Sequence, residues 1–190
     1  MPSSPSPSIA HPLAQRLIAA AAERPLDGPV IEVGTGSGRN TRALIEARIP
    51  LTGIPDSTPY TQLEFPRESF GAALSTHAYL HGTSDKVRAG IGELRRVLRP
   101  EAFAYITLGS LRDARYGLGI PLDERSFAPG AGDEVGIPHA YFDRDGVIEA
   151  MAGYAVESLD EVDVDEIVGR WAHEDDVGGR VHWFVVARRT

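Results

Sequence analysis

Residues 30–40, VIEVGTGSGRN, leave few folds open to this chain. The short apolar run PVIEV (29–33) suits a strand buried on both faces. It runs straight into Gly34, Gly36 and Gly38, and then into GRNTRALIEAR (38–48), a helix with Leu44 and Ile45 turned inward. A strand, a side-chain-free turn and a helix in that order present backbone N–H groups at the carboxyl end of a sheet, where α/β proteins bind ligands. Two nucleotide readings fail on spacing. A G-x-G-x-x-G fingerprint needs glycine where Arg39 stands, and there is no G-x-x-x-x-G-K phosphate loop.

The rest of the chain repeats the alternation. A helix is expected over about 11–23, closed by Pro25, and strands over 50–54 and 70–77. Val87, Ile91, Leu94 and Leu98 recur at helical spacing, with Ser84 as the cap and Pro100 as the stop. A strand over 103–110, a helix over about 143–152, and two last strands (156–164 and 182–189) forming an antiparallel hairpin complete the set. Residues 111–138 are rich in Gly, Pro and Asp and are expected to form a functional loop or lid. The fold class that follows is α/β with a mainly parallel sheet of about six strands. A single domain over 9–190 follows a disordered Pro/Ser-rich tail, 1–8.

Composition removes several function classes. Nineteen basic and 27 acidic residues give a net charge of -8, which disfavours nucleic acid and anionic membrane surfaces. The absence of cysteine excludes disulfides, thiolate catalysis and Cys-based zinc sites. His77 and His81 stand four apart, but no third ligand lies near them at a familiar spacing, so no metal is expected. The opening MPSSPSPS lacks the basic start and apolar core of a signal peptide, and LIAAAA, the longest apolar run, is too short to span a bilayer. A cytoplasmic monomer or homodimer acting on a small molecule is the expectation.

Four segments together resemble the class I S-adenosylmethionine-dependent methyltransferases. IEVGTGSGRNTRAL is similar to their E/D-x-G-x-G-x-G motif, and LEFPRESFGAALSTHAYLH to their L-P-F-x-x-x-S-F-D-x-V segment. ELRRVLRPEAFAYITLGS resembles their E-x-x-R-V-L-K-P-G-G step, with Glu101 and Ala102 in place of the glycines, and GIPHAYFDRDGVIEAM is like their P-H-x-Y-F stretch. The resemblance implies a Rossmann-like methyltransferase fold that moves a methyl group from S-adenosylmethionine to a small molecule. The alternative is an inactive relative serving as a binding or scaffold subunit.

By the same resemblance, Gly34, Thr35 and Gly36 would floor the methionine half of the cofactor, with Gly38, Asn40, Ser75 and Thr76 as further cofactor-binding candidates; Ser75, Thr76 and His77 end the third strand, where the family's acceptor-facing residues lie. Glu32 would face the cofactor's ammonium, a pairing that also suits a cationic sulfonium ligand; otherwise it is a structural acid bonding the glycine N–H groups. Asp56, 20 residues beyond Gly36, would hold the ribose or else form a turn. Residues 55–69 are too few for the family's next helix and strand, so one edge strand and its helix should be missing. Leu63 and Phe65 would then wall the adenine, beside Glu64. His77 is the first candidate for a base or orienting group, with His139 and Tyr141 as the other catalytic candidates and His81 behind them. Arg112 and Arg115 would clamp an acidic substrate or pair with neighbouring acids such as Asp113. Trp171, Trp183 and Phe184 suit packing, and the LDEVDVDE run suits a half-solvated strand.

Overall fold

The computed structural model describes residues 9–132, 134–164 and 178–190. The tail 1–8 and Trp171 lie outside the described residues. In chain order the elements are α1 (Pro12–Glu23), β1 (Val30–Val33), α2 (Arg39–Glu46), β2 (Leu51–Ile54), β3 (Phe70–Ser75), α3 (Ser84–Val97), β4 (Leu98–Ser110), β5 (Ile120–Asp123), β6 (Ser126–Ala128), β7 (His139–Phe142), α4 (Arg144–Ala150), β8 (Tyr154–Asp163) and β9 (Val181–Arg189). No described helix is long and apolar enough to cross a membrane.

The sheet runs β2-β1-β3-β4-β7-β6-β5, with β9 also on β4 and β8 on β9. β2, β1, β3, β4 and β7 are joined in parallel, whereas the β5–β6, β6–β7, β4–β9 and β8–β9 pairings are antiparallel. The C-terminal hairpin is therefore present. Among the described residues no strand lies beyond β2, as the short 55–69 segment requires. Beside that edge is an open hollow of about 530 Å³, lined by Thr41, Ile45, Ile49, Leu51 and Gly53 among others.

Period-two alternation splits the sheet's apolar residues between two helical layers. Val30, Ala72 and Leu74 pack with Leu13, Leu17 and Leu44 of α1 and α2. Ile31, Val33 and Ala73 pack with Val87, Ile91 and Leu94 of α3 and Val147 of α4. Coverage on both faces is why β1 and β3 are buried along their whole length.

Several expectations are corrected. Among the described residues the sheet has nine strands rather than about six, because residues expected as an irregular loop supply the β5–β6 hairpin and His139–Phe142 pairs as β7. Ile45 is 61% exposed, since the missing edge strand leaves nothing for it to cover. Thr83, not Ser84, caps α3, its hydroxyl accepting the Lys86 N–H. Pro100 lies inside β4 rather than ending the helix, which stops at Val97. β4 is irregular there, and Glu101 takes φ +65° where the family has glycine. Trp183 is a core residue as expected, donating its indole N–H to the Phe142 carbonyl at 2.8 Å.

Candidate functional site

The turn after β1 is made possible by glycine. Gly34, Gly36 and Gly38 have φ of +79°, +48° and +76°, a region that L side chains rarely adopt. A Cβ on Gly34 would lie 2.8 Å from the Ala78 Cβ and 2.9 Å from Asp56 Oδ1, so the chain is tightly packed there. It opens further along. A Cβ on Gly36 would meet only Asp56 Oδ2, at 3.9 Å, and one on Gly38 would meet nothing within 4 Å.

Glu32, one residue before the end of β1, is 1% exposed. Thr41 on the first turn of α2 donates its hydroxyl to Glu32 Oε2 at 2.5 Å, while the buried Oε1 has no hydrogen-bond partner. Burial pushes the carboxyl's pKa up, against the hydrogen bond from Thr41. The glycine-turn N–H groups are satisfied elsewhere. Gly34 and Thr35 donate to the Ile54 carbonyl, Gly38 donates to Thr35, and Gly36 donates to Asp56 Oδ2 at 3.1 Å. The structural task foreseen for Glu32 thus falls to Asp56, which joins the ends of β1 and β2.

The other candidates separate into two groups. Asn40 is buried and accepts the His11 N–H at 2.9 Å while donating to Thr76 Oγ1 at 2.9 Å, so it ties α1 to the end of β3. Ser75 is buried at that same end, and its hydroxyl has no hydrogen-bond partner. Leu63 does not wall a crevice. It lies in the core under α3, its N–H held by Glu93 and its carbonyl by Arg96, because these two charged residues anchor the shortened segment. Phe65 stacks edge-on against Phe70, with ring centroids 5.0 Å apart.

A second constellation forms where β3 ends and β7 begins. His77 and His81 flank a 3-10 turn (Ala78–Leu80), and His81 makes an isolated antiparallel bridge to His139. The buried carboxylate of Glu134 reaches into this group, with Oε1 3.0 Å from His81 Nε2 and 3.9 Å from His77 Nε2, and Oε2 3.1 Å from His139 Nε2. Arg115 reaches Oε2 at 3.0 Å. Burial would raise the Glu134 pKa, but hydrogen bonds from His139 and His81 prevail and hold it well below the usual carboxylate range. Tyr141 stands next along β7, in an aromatic group with Tyr116 and Phe127, and burial pushes its phenol up.

Sequence reasoning missed Glu134. It lies 53 residues beyond His81, in a loop whose composition marks only irregularity. Arg112 and Arg115 are paired with acids, Arg112 with Glu161 at 3.0 Å and Arg115 with Glu134, rather than standing ready for a substrate.

No family model matches the chain. An uncharacterized methyltransferase of Anoxybacillus flavithermus is 31% identical over a stretch covering 37% of this chain and 42% of that protein. The match thus spans less than half of that relative's length. Among solved structures, an S-adenosylmethionine-dependent methyltransferase of Mesorhizobium loti superposes with a TM-score of 0.65 at 17% identity, over 93% of this chain and 98% of the other. The 1,6-didemethyltoxoflavin-N1-methyltransferase of Burkholderia thailandensis, solved with 1,6-didemethyltoxoflavin and S-adenosylhomocysteine, superposes with a TM-score of 0.64 at 16% identity, over 93% and 76%. By superposition, and with its mainly parallel sheet, the chain has the Rossmann-like fold of these S-adenosylmethionine-dependent methyltransferases.

Proposed function

We propose that this protein binds S-adenosylmethionine beside the glycine turn and transfers its methyl group to a small-molecule acceptor. The observation that carries the reading is the buried Glu32 Oε1, which has no hydrogen-bond partner. An unpartnered buried carboxylate oxygen is costly, and an ammonium would satisfy it. The three left-handed glycines fit the same ligand, since Asp56 is the one side chain near the Cβ position of Gly36 and none lies within 4 Å of that of Gly38. The fold likeness to cofactor-dependent methyltransferases supports it further.

In this reading Glu32 holds the methionine ammonium and Asp56 the ribose, with Gly36 and Gly38 as the floor. When bound, the cofactor supplies an electrophilic methyl on a sulfonium. The chain's own contribution is alignment of the acceptor with that methyl. Ser75 ends β3 and Thr76 and His77 follow it; with His139 and Tyr141 of β7 they would line the acceptor side. His77 or His139 would orient the acceptor's nucleophile toward that methyl. The reading includes a cytoplasmic protein working as a monomer or homodimer.

Calorimetry with S-adenosylmethionine and S-adenosylhomocysteine tests this. Saturable binding of both is expected, weakened about 10- to 100-fold in Glu32→Ala, as befits loss of a charge-assisted hydrogen bond. Absence of heat with either ligand at millimolar concentration overturns the assignment. Product mass spectrometry across an acceptor panel then identifies the methylated class.

A further inference from the structure

We propose that His77, His81 and Glu134 bind one divalent transition-metal ion of the zinc type, replacing the expectation of no metal. His77 and His81 flank one turn and Glu134 comes from a loop 53 residues further on, yet one ligand atom from each lies within 4.8 Å of the others. Tetrahedral zinc with nitrogen and oxygen ligands at about 2.1 Å spaces its ligand atoms about 3.4 Å apart. The two imidazole nitrogens stand 3.0 and 3.9 Å from Glu134 Oε1, on either side of that value. Two imidazoles and one carboxylate form a donor set that suits zinc and its neighbours, and three protein ligands leave a fourth position for water or substrate.

The surroundings hold these ligands in place. His139 Nδ1 lies 2.9 Å from the Ile137 carbonyl and Nε2 lies 3.1 Å from Glu134 Oε2; both oxygens only accept, so both ring nitrogens are placed to donate. With Arg115 also on Glu134 Oε2, that oxygen is held from behind and Oε1 is presented to His77 and His81. His81 is fixed by its bridge to His139, by the Tyr60 hydroxyl on its carbonyl, and by Gly82 donating to Pro138 at 2.7 Å. Outer contacts of this kind orient metal ligands and commonly control affinity. Arg115 does not cancel the negative charge, because it is shared with Asp113 at 3.8 Å.

The test is zinc uptake by the untagged full chain after chelator treatment, read by elemental analysis and by calorimetry with zinc chloride. One equivalent per chain is expected. Affinity should fall at least about 100-fold in His81→Ala and in Glu134→Gln, the upper end of what loss of an outer contact costs. No uptake by the wild type with zinc in molar excess overturns the proposal, as does undiminished uptake by both variants. Where circular dichroism finds the variants unfolded, histidine-ring NMR of the wild type decides. Concerted shifts of His77 and His81 on zinc addition support the site, and shifts confined to other histidines overturn it. The measurement involves neither cofactor nor methyl transfer, so the two proposals fail separately.

Discussion

Thr41 Oγ1 lies 2.5 Å from Glu32 Oε2, so the first turn of α2 grips one oxygen of a carboxylate whose other oxygen is buried without a partner. Leaving a buried carboxylate oxygen unbonded costs the folded protein stability. The Glu32 pKa is raised above its usual 4.5, so with rising pH the unfolded chain loses this proton first. Across that window the native state binds more protons, and stability falls as pH climbs from about 4.5 through the raised value.

Glu32→Gln keeps the shape and removes the charge. The ligand-free variant should be more stable at neutral pH by roughly 1–2 kcal/mol, and should lose this part of the pH dependence. It should also lose most affinity for S-adenosylmethionine. Thermal melts across pH, paired with calorimetry, check both outcomes, and a variant less stable than wild type at neutral pH contradicts the first.

Gly34 and Gly38 have similar φ but different neighbours. Gly38→Ala should cost about 1–2 kcal/mol, the strain of a left-handed backbone alone. Gly34→Ala adds overlap with Ala78 and Asp56 and should cost about 2–4 kcal/mol. Urea unfolding of the two variants side by side gives the comparison, and equal losses would refute the steric account.

His11 accepts the Leu13 N–H through Nδ1 at 3.1 Å, a task that only the neutral ring performs. Burial chiefly, then Arg39 and His182, lowers its pKa from 6.5 to about 3. On acidification the unfolded chain gains this proton near pH 6.5 and the folded one only near 3, so its stabilising share is lost as pH falls through that interval. His11→Asn keeps a capping acceptor without the titration. Between pH ~7 and ~5 the wild type should lose about 2 kcal/mol more than this variant, as denaturant midpoints at the two pH values would reveal.

Gly90 sits inside α3, where alanine ordinarily gains about 1 kcal/mol. Here an added Cβ would overlap the Tyr60 ring and lie 2.9 Å from Tyr79 Cε1. Tyr79 is fully buried, and Tyr60 stacks edge-on against it at 5.0 Å, so neither ring has room to yield. Gly90→Ala should therefore destabilise by about 1–2 kcal/mol net, a sign that thermal unfolding reads directly.

Continuous apolar strands and helical spacing made the parallel core legible, because burial on both faces leaves a simple signature in β1, β3 and α3. The missing edge strand was legible too, by counting residues 55–69. The β5–β6 hairpin was not, since Ile120–Asp123 is exposed throughout and carries no burial pattern. Glu32 and the glycine turn could be proposed as a site because their residues are adjacent in sequence. The histidine cluster could not, because its carboxylate arrives from a distant loop only once β7 has brought His139 up to His81. Leu63 shows the converse failure: a plausible lining residue is drawn into the core by partners on α3.

β4 pairs with β3 through Ile106, with β7 at Gly109 and Ser110, and with β9 from Phe103 to Gly109. The glycine-turn half of the molecule and the histidine half are thus stitched to one shared backbone. Opening either half by itself would still leave β4 clamped on another side. Its central amides should exchange with deuterium at the rate set by global unfolding, whereas the exposed β5 rim exchanges by local fraying. The two constellations would then keep a fixed separation for as long as the chain stays folded.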